Sequence, residues 1–201
     1  MNETLVIIGA GGHAKVCYEI AKKMNQWTNF IFLDDKLEND SFSIAGPITD
    51  YHKYSSSDFF IAIGSNAKRK SWFQKLKKEA INITTLIDPH AVISKSAEIG
   101  QGSAVMAGVI VDASATIGDG CILNSGCLIA HDVLISNYVH ISPGANLAGA
   151  VSIGESTWIG ASATVINNIH IGSNIMLGAG STAVTDLINP GTYIGLPAKK
   201  M

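Results

Sequence analysis

"CILNSGCLIAHDVLISNYVHI", residues 121–141, decides how this chain folds. Leu123, Ile129, Ile135 and Ile141 recur six residues apart. That period suits neither an α-helix, which repeats its faces every 3.6 residues, nor an extended strand, which repeats them every two. Outward from this stretch the same register runs from Ile93 to Leu177 through fifteen consecutive aliphatic positions. The residue two places before each is mostly small or β-branched, as at Ala115, Cys121, Cys127, Val133, Val139 and Ala145, and glycine often follows it, as at Gly100, Gly118, Gly154, Gly160, Gly172 and Gly178. Short strands joined by bends satisfy this pattern. Each sends one large aliphatic side chain into a narrow interior, and glycine is expected to relieve the corner. A parallel β-helix of hexapeptides is therefore expected over residues 86–201. Coiling hides its core along the length only, so its ends need cover, from the preceding domain and from "DLINPGTYIGLPAKKM" (186–201).

Residues 1–85 follow a different rhythm. "TLVIIGAGG" (4–12) is a short apolar run ending in glycines, and "HAKVCYEIAKKMNQ" (13–26) places Cys17, Ile20, Ala21 and Met24 at helical spacing. "FIFLDD" (30–35) and "DFFIAIG" (58–64) read as buried strands, and "NAKRKSWFQKLKKEA" (66–80) as a helix with a basic outer face. Such alternation argues for a parallel sheet with helical crossovers, an α/β βαβαβ unit about half the size of the two-part dinucleotide-binding fold.

Composition narrows the partners. Of the 201 residues 47% are apolar and 15% charged, with a formal net charge of -2, so no broad basic surface points to nucleic acid or to an anionic membrane. The apolar run "LVIIGAGG" is too short to span a bilayer and lacks the flanks of a signal peptide, which leads to a cytoplasmic expectation. Cys17, Cys121 and Cys127 form no CxxC pair, and the six histidines show no metal-binding spacing, so no metal is expected and the thiols read as core residues.

The hexapeptide run and the closing "GLPAKKM" resemble the hexapeptide-repeat acyltransferases, a family of left-handed β-helices with three hexads per coil that assemble as trimers. "IIGAGGHAKV", "FIFLDD" and "DFFIAIGSNAKRK" resemble the nucleotide-sugar-binding, half-Rossmann domain of its sialic-acid O-acetyltransferase and amino-sugar N-acetyltransferase subfamily. Within that subfamily, "VCYEIAKKMN", "ILNSGCLIAHD" and "GLPAKKM" are most similar to the bacterial UDP-N-acetylbacillosamine N-acetyltransferases of protein glycosylation. The resemblance implies an enzyme that takes acetyl-CoA and a UDP-linked amino sugar, works as a homotrimer, and acetylates a sugar 4-amino group to give UDP-N,N'-diacetylbacillosamine.

Residue by residue, the resemblance makes His131 the general base, with Asp132 at the position of its carboxylate helper; relatives carry the longer glutamate there. An imidazole titrates near neutrality, so it can take a proton from an acceptor amine and return it to a departing thiolate. A thioester is already activated, and no covalent acyl-enzyme is required. The resemblance assigns His140, Gly149 and Ala161 to acetyl-CoA, and Gly11, Gly12, His13, Asp34, Asp35 and Gly64 to the UDP-sugar. The glycines stand on their own footing too. "GAGGHA" (9–14), between a strand and a helix, lets backbone N–H groups and a helix N-terminus approach a phosphate. Lys199 and Lys200 are candidates for the CoA phosphates or simply a solvated tail. Three alternatives stay open: a GDP- or dTDP-linked amino sugar, a sialic-acid hydroxyl, and a β-helix scaffold or binding protein without catalysis.

Overall fold

The computed structural model describes residues 3–38 and 40–201, which form two compact units, Met1–Pro89 and His90–Met201. In the first, β1 (Thr4–Ile8) is the centre of a four-stranded sheet with β2 (Asn29–Leu33), β3 (Ile44–Gly46) and β4 (Asp58–Ile61), ordered β3-β2-β1-β4. All its pairings are parallel. Leu5, Val6, Ile7 and Ile8 are fully buried, the unbroken apolar run that a strand covered on both faces requires.

Helix α1 (Gly12–Met24) buries Ala14, Cys17, Ile20 and Ala21 and stops at Asn25, whose left-handed backbone (φ 52°) closes the last turn onto the Lys22 carbonyl. Helix α2 (Asn66–Lys78) buries Arg69, Phe73 and Leu76, one face at helical spacing, and Ser65 caps it by accepting from the Lys68 N–H. The second crossover differs from the expected βαβαβ succession. Between β2 and β4 lie β3 and a 3₁₀ helix, Ile48–Tyr54, rather than an α-helix. Pro47, with φ fixed at -64° and no N–H to donate, starts that short helix, and the segment has no apolar stripe to bury a longer one. Since β1 has β2 on one side and β4 on the other, the chain reverses its winding direction at β1. In open parallel sheets the crevice beyond the strand ends at such a point takes the ligand.

In the second unit each strand pairs with the one eighteen residues on: Ile117 with Ile135, Leu123 with Ile141, Ile129 with Leu147. Three hexads thus make one coil, and the two-residue strands stack into three parallel faces. The first face holds Thr116–Ile117, Leu134–Ile135 and Ser152–Ile153; the second Leu128–Ile129, Asn146–Leu147 and Thr164–Val165; the third Ile122–Leu123, His140–Ile141 and Trp158–Ile159. From Val105 to Leu177 the aliphatic residue of each hexad is buried, as are the small residues two before it from Ser103 to Ala163.

The corners are built otherwise than expected. The left-handed backbone falls on a single series six apart, which includes Gly126 (φ 66°), Asp132 (φ 60°), Tyr138 (φ 60°) and Gly144 (φ 64°). Gly100, Gly118, Gly154, Gly160, Gly172 and Gly178 do not belong to it. They are glycine because neighbouring coils come too close. A Cβ on Gly118 would lie 2.7 Å from the Asn137 backbone nitrogen, and one on Gly154 2.5 Å from the Gly172 carbonyl carbon. The stack closes with a shortened coil: Ile171 bridges to Leu187 and Leu177 pairs with Tyr193, sixteen residues on. Lys199–Lys200 then turns back antiparallel onto Tyr193–Ile194. No helix among the described residues is long and apolar enough to cross a membrane.

Candidate functional site

In the first unit the carboxyl ends of β1, β2 and β4 meet the glycine turn. Gly11 is the N-cap of α1 and makes no side-chain cap hydrogen bond, and the positive end of the helix faces this turn. A Cβ on Gly11, Gly12 or Gly64 would meet nothing within 4 Å, and none of the three has a positive φ. The fold itself does not need glycine there; what the glycines leave is a bare backbone that a ligand can approach. These three line a cavity of about 380 Å³ together with His13 and Asp34. An adjoining one of about 530 Å³ is bordered by Asp34, Asp35, Lys36, Ile48, Lys68 and Trp72. A third, of about 390 Å³, adds Lys15 and Lys36 beside Gly11 and Gly12.

The two aspartates have different partners. Asp34 Oδ2 accepts from the Ala10 N–H (2.7 Å) and Oδ1 from the Lys36 N–H (2.8 Å), which ties the glycine turn to the end of β2. Asp35 is exposed, and its Oδ1 accepts from the Ile48 N–H (3.1 Å). On the opposite wall the buried Arg69 donates through Nη1 to the Ile63 and Gly64 carbonyls, each at 3.1 Å, and fixes the loop after β4. His13 Nε2 lies 3.5 Å from the Cys17 sulfur. Lys36, Lys68 and Trp72 were not anticipated. Lys68 and Trp72, four apart near the start of α2, carried a signal, but a helix read as solvated on its basic face hides it.

In the second unit His131 and Asp132 occupy the corner between the second and first faces. Their side chains are 66% and 61% exposed, and His131 Nδ1 lies 2.8 Å from Asp132 Oδ2. The short aspartate does reach the ring. Its left-handed backbone, a conformation aspartate tolerates better than most residues, brings the carboxylate back toward the preceding side chain. An acceptor at Nδ1 fixes the tautomer with its proton there and leaves the lone pair on Nε2. One coil on, the ring lies against Gly149. A Cβ on that residue would fall 2.6 Å from both Cε1 and Nε2. Of the three residues expected at acetyl-CoA, Gly149 thus adjoins His131, whereas His140 and Ala161 share a separate groove.

That groove, about 380 Å³ and largely apolar, lies along the corner between the third and second faces, with Pro143, Trp158, Met176 and Ala179 also on its walls. The His140 and Trp158 rings stack at 5.1 Å and 13°, and the indole N–H donates to Ser142 Oγ at 2.7 Å. Trp158, 41% exposed, was missed because it takes an outward hexad position where most residues only meet solvent. Lys199 and Lys200 are exposed in the closing hairpin. The thiols are buried, and desolvation pushes Cys127 up to about 12 and Cys17 higher still, which removes them as nucleophiles at neutral pH. Among the described residues no group of three or more His, Cys, Asp or Glu is placed to hold a metal ion.

Residues 4–76 match the family model for the PglD N-terminal domain. A UDP-N-acetylbacillosamine N-acetyltransferase of Bacillus subtilis (strain 168) is 39% identical over 112 residues, 52% of this chain and 52% of that protein, so the match spans about half the length of that curated relative. The acetyltransferase domain of PglB from Neisseria gonorrhoeae FA1090, solved in complex with acetyl coenzyme A, is 36% identical with a TM-score of 0.96 over 100% of both chains. PerB from Caulobacter crescentus, solved with CoA and GDP-perosamine, is 35% identical with a TM-score of 0.94 over 98% of this chain and 97% of that one.

Proposed function

This chain belongs to the hexapeptide-repeat acetyltransferase family, and from that premise we propose that it moves the acetyl group of acetyl-CoA onto the 4-amino group of a UDP-linked 2-acetamido-4-amino-2,4,6-trideoxyhexose, giving UDP-N,N'-diacetylbacillosamine. The observation that carries this reading is the 2.8 Å contact between His131 Nδ1 and Asp132, which leaves the Nε2 lone pair of an exposed side chain ready to accept a proton. The amine nitrogen attacks the thioester carbonyl, and Nε2 takes its proton. As the tetrahedral adduct collapses, the C–S bond breaks and the thiolate leaves with the proton from the imidazolium. Asp132 stabilises that imidazolium, and no acyl-enzyme forms. General-base catalysis of this kind contributes roughly 10²- to 10⁴-fold.

The groove beside His140, Trp158 and Ala161 takes the apolar arm of acetyl-CoA, and the cavities at Gly11, Gly12, His13, Asp34, Asp35 and Gly64 take the nucleotide. Base and groove flank opposite edges of the second face, one hexad apart from Pro143 to Gly149, roughly 20 Å at full strand extension. A second copy brings its donor groove to this base, within a homotrimer working in the cytoplasm, where acetyl-CoA is made.

The test is release of CoA thiol, with product mass, across UDP-, GDP- and dTDP-4-amino sugars and free sialic acid, for wild type and His131→Ala. The expected result is an acetyl mass gain on the UDP-amino sugar alone, and a folded variant slowed by at least about 100-fold. Acetylation of the GDP sugar instead, the sugar nucleotide held by PerB, replaces the substrate and keeps the mechanism. Failure to bind acetyl-CoA at all leaves a β-helix scaffold.

A further inference from the structure

Charge is spread unevenly over the first unit. Six of its eleven Lys and Arg residues lie within α2, which contains no Asp or Glu, while the rest of the unit carries ten acidic residues against five basic ones. Arg69 turns inward to the Ile63 and Gly64 carbonyls, and the five lysines turn outward. Arg69, Phe73 and Leu76 mark the buried stripe; at 3.6 residues per turn the opposite side is centred on Ala67, Ser71, Gln74 and Lys78, all exposed. Lys68 and Lys75 flank that line on one side and Lys70 and Lys77 on the other, each pair seven residues or roughly 10 Å apart along the axis. Two of these cations are steered by rings: Lys75 Nζ lies 4.8 Å from the Tyr51 and Trp72 centroids, and Lys77 Nζ 5.4 Å from that of Phe73. On α1, by contrast, Lys22 pairs with Glu19 and Lys23 with Asp88. The first carboxylate after α2, Glu79, accepts from the Tyr51 hydroxyl.

We propose that the outward face of α2 is a docking surface for an anionic lipid membrane, to which it holds the protein peripherally. A bilayer of acidic lipids presents diffuse negative charge with no fixed partner geometry, and flexible lysine stems suit it. Recognition of individual phosphates and base edges draws instead on arginine forks and on amide side chains aimed into a groove. The exposed cations of α2 are all lysine, and its one arginine is buried. Ala67 and Ser71, short residues on the centre line, let the helix approach a plane with lysines reaching down on both sides. None of the exposed large apolar residues among the described ones belongs to α2, so the contact is with headgroups rather than with the hydrocarbon, and it yields to salt. The formal charge of the whole chain, -2, adds no attraction of its own, so the local face and not the net charge sets the orientation. Each lysine near such a surface contributes about fivefold in partitioning.

The experiment is co-sedimentation of the full chain with vesicles of phosphatidylcholine alone and of phosphatidylcholine and phosphatidylglycerol in equal parts, over a range of salt. Wild type is expected to partition onto the phosphatidylglycerol vesicles at low salt, to leave them as salt rises, and to ignore the neutral ones. The triple variant Lys70→Gln, Lys77→Gln, Lys78→Gln is expected to lose on the order of 100-fold in partitioning while keeping its circular dichroism and its acetyl transfer. Arginine at the same three positions keeps the charge and should keep the binding, which separates lost charge from a damaged helix. A second triple variant, Lys22→Gln, Lys53→Gln, Lys95→Gln, changes the net charge equally but away from α2 and should bind nearly as wild type does. Equal loss in the two glutamine triples, equal binding to neutral and anionic vesicles, or no binding at low salt overturns the assignment. Tighter binding to duplex DNA than to the anionic vesicles at the same salt overturns it as well, in favour of nucleic acid.

Discussion

Replacing Gly149 with alanine adds one methyl group at the seat of the imidazole. The new Cβ would stand 2.6 Å from His131 Cε1 and Nε2 and 3.3 Å from Cδ2, whereas ordinary contact begins near 3.4 Å. The edge of the ring that carries the lone pair must therefore lift by roughly 0.8 Å, while Nδ1 stays tethered to Asp132 at 2.8 Å. A misplacement of about 1 Å at a reacting atom costs on the order of 100-fold in rate, or about 2.7 kcal/mol of barrier. Nothing else stands in the way, since the obstructing atoms belong to an exposed side chain and Gly149 has no positive φ. The variant should fold with Tm within a few degrees of wild type, lose kcat by roughly 100-fold, and keep its KM for acetyl-CoA within about twofold. Steady-state kinetics with both substrates varied reads all three quantities. A kcat within threefold of wild type would refute the idea that Gly149 seats the base. A raised KM for acetyl-CoA with kcat preserved would return Gly149 to the cofactor, where the family resemblance puts it.

Three further outcomes are expected. Asp132→Asn, which tolerates the left-handed corner but carries no charge, should keep the fold and lose roughly 10- to 100-fold in kcat, whereas Asp132→Val should cost about 1–2 kcal/mol of stability in denaturant titrations as well. Gly118→Ala, whose Cβ would meet the backbone of the next coil at 2.7 Å, should destabilise by about 1–3 kcal/mol or more; Gly126→Asn, open around its Cβ at φ 66°, should cost under about 1 kcal/mol. Burial raises the Cys127 thiol from 9.0 to about 12, so the folded protein keeps a proton that the unfolded chain releases. That contribution to stability is whole below pH 9 and fades as pH climbs toward 12, and iodoacetamide at pH 8 should label no cysteine until the chain is unfolded.

Much of the fold is legible without coordinates because burial is periodic. An aliphatic residue every sixth position, with a small one two before it, has few ways to hide other than a coil of three hexads, and the eighteen-residue pairing of Ile117 with Ile135 is its direct expression. The apolar runs of β1, β2 and β4 announce a doubly covered sheet for the same reason. The glycines were harder to read. Gly118 and Gly126 look alike as letters, yet one answers to a neighbouring coil and the other to its own φ. Strand–helix alternation predicts a helical second crossover, whereas Pro47 opens only a 3₁₀ turn.

The family resemblance points to His131 as the candidate base, and the Gly11–Gly12 turn is visible as glycines between a strand and a helix. What surrounds them is not. Gly149 lies under His131 because eighteen residues make one coil, Asp34 spends both oxygens on backbone N–H groups because β2 ends beside the glycine turn, and Trp72 reaches Asp35 across a cavity that no spacing encodes. The sequence by itself determined the two architectures, because local pattern and hydrophobic period act along the chain. Only the tertiary structure decided which residues seat, tether and shape the site, because those contacts join segments whose distance in space is set by coil pitch and strand order.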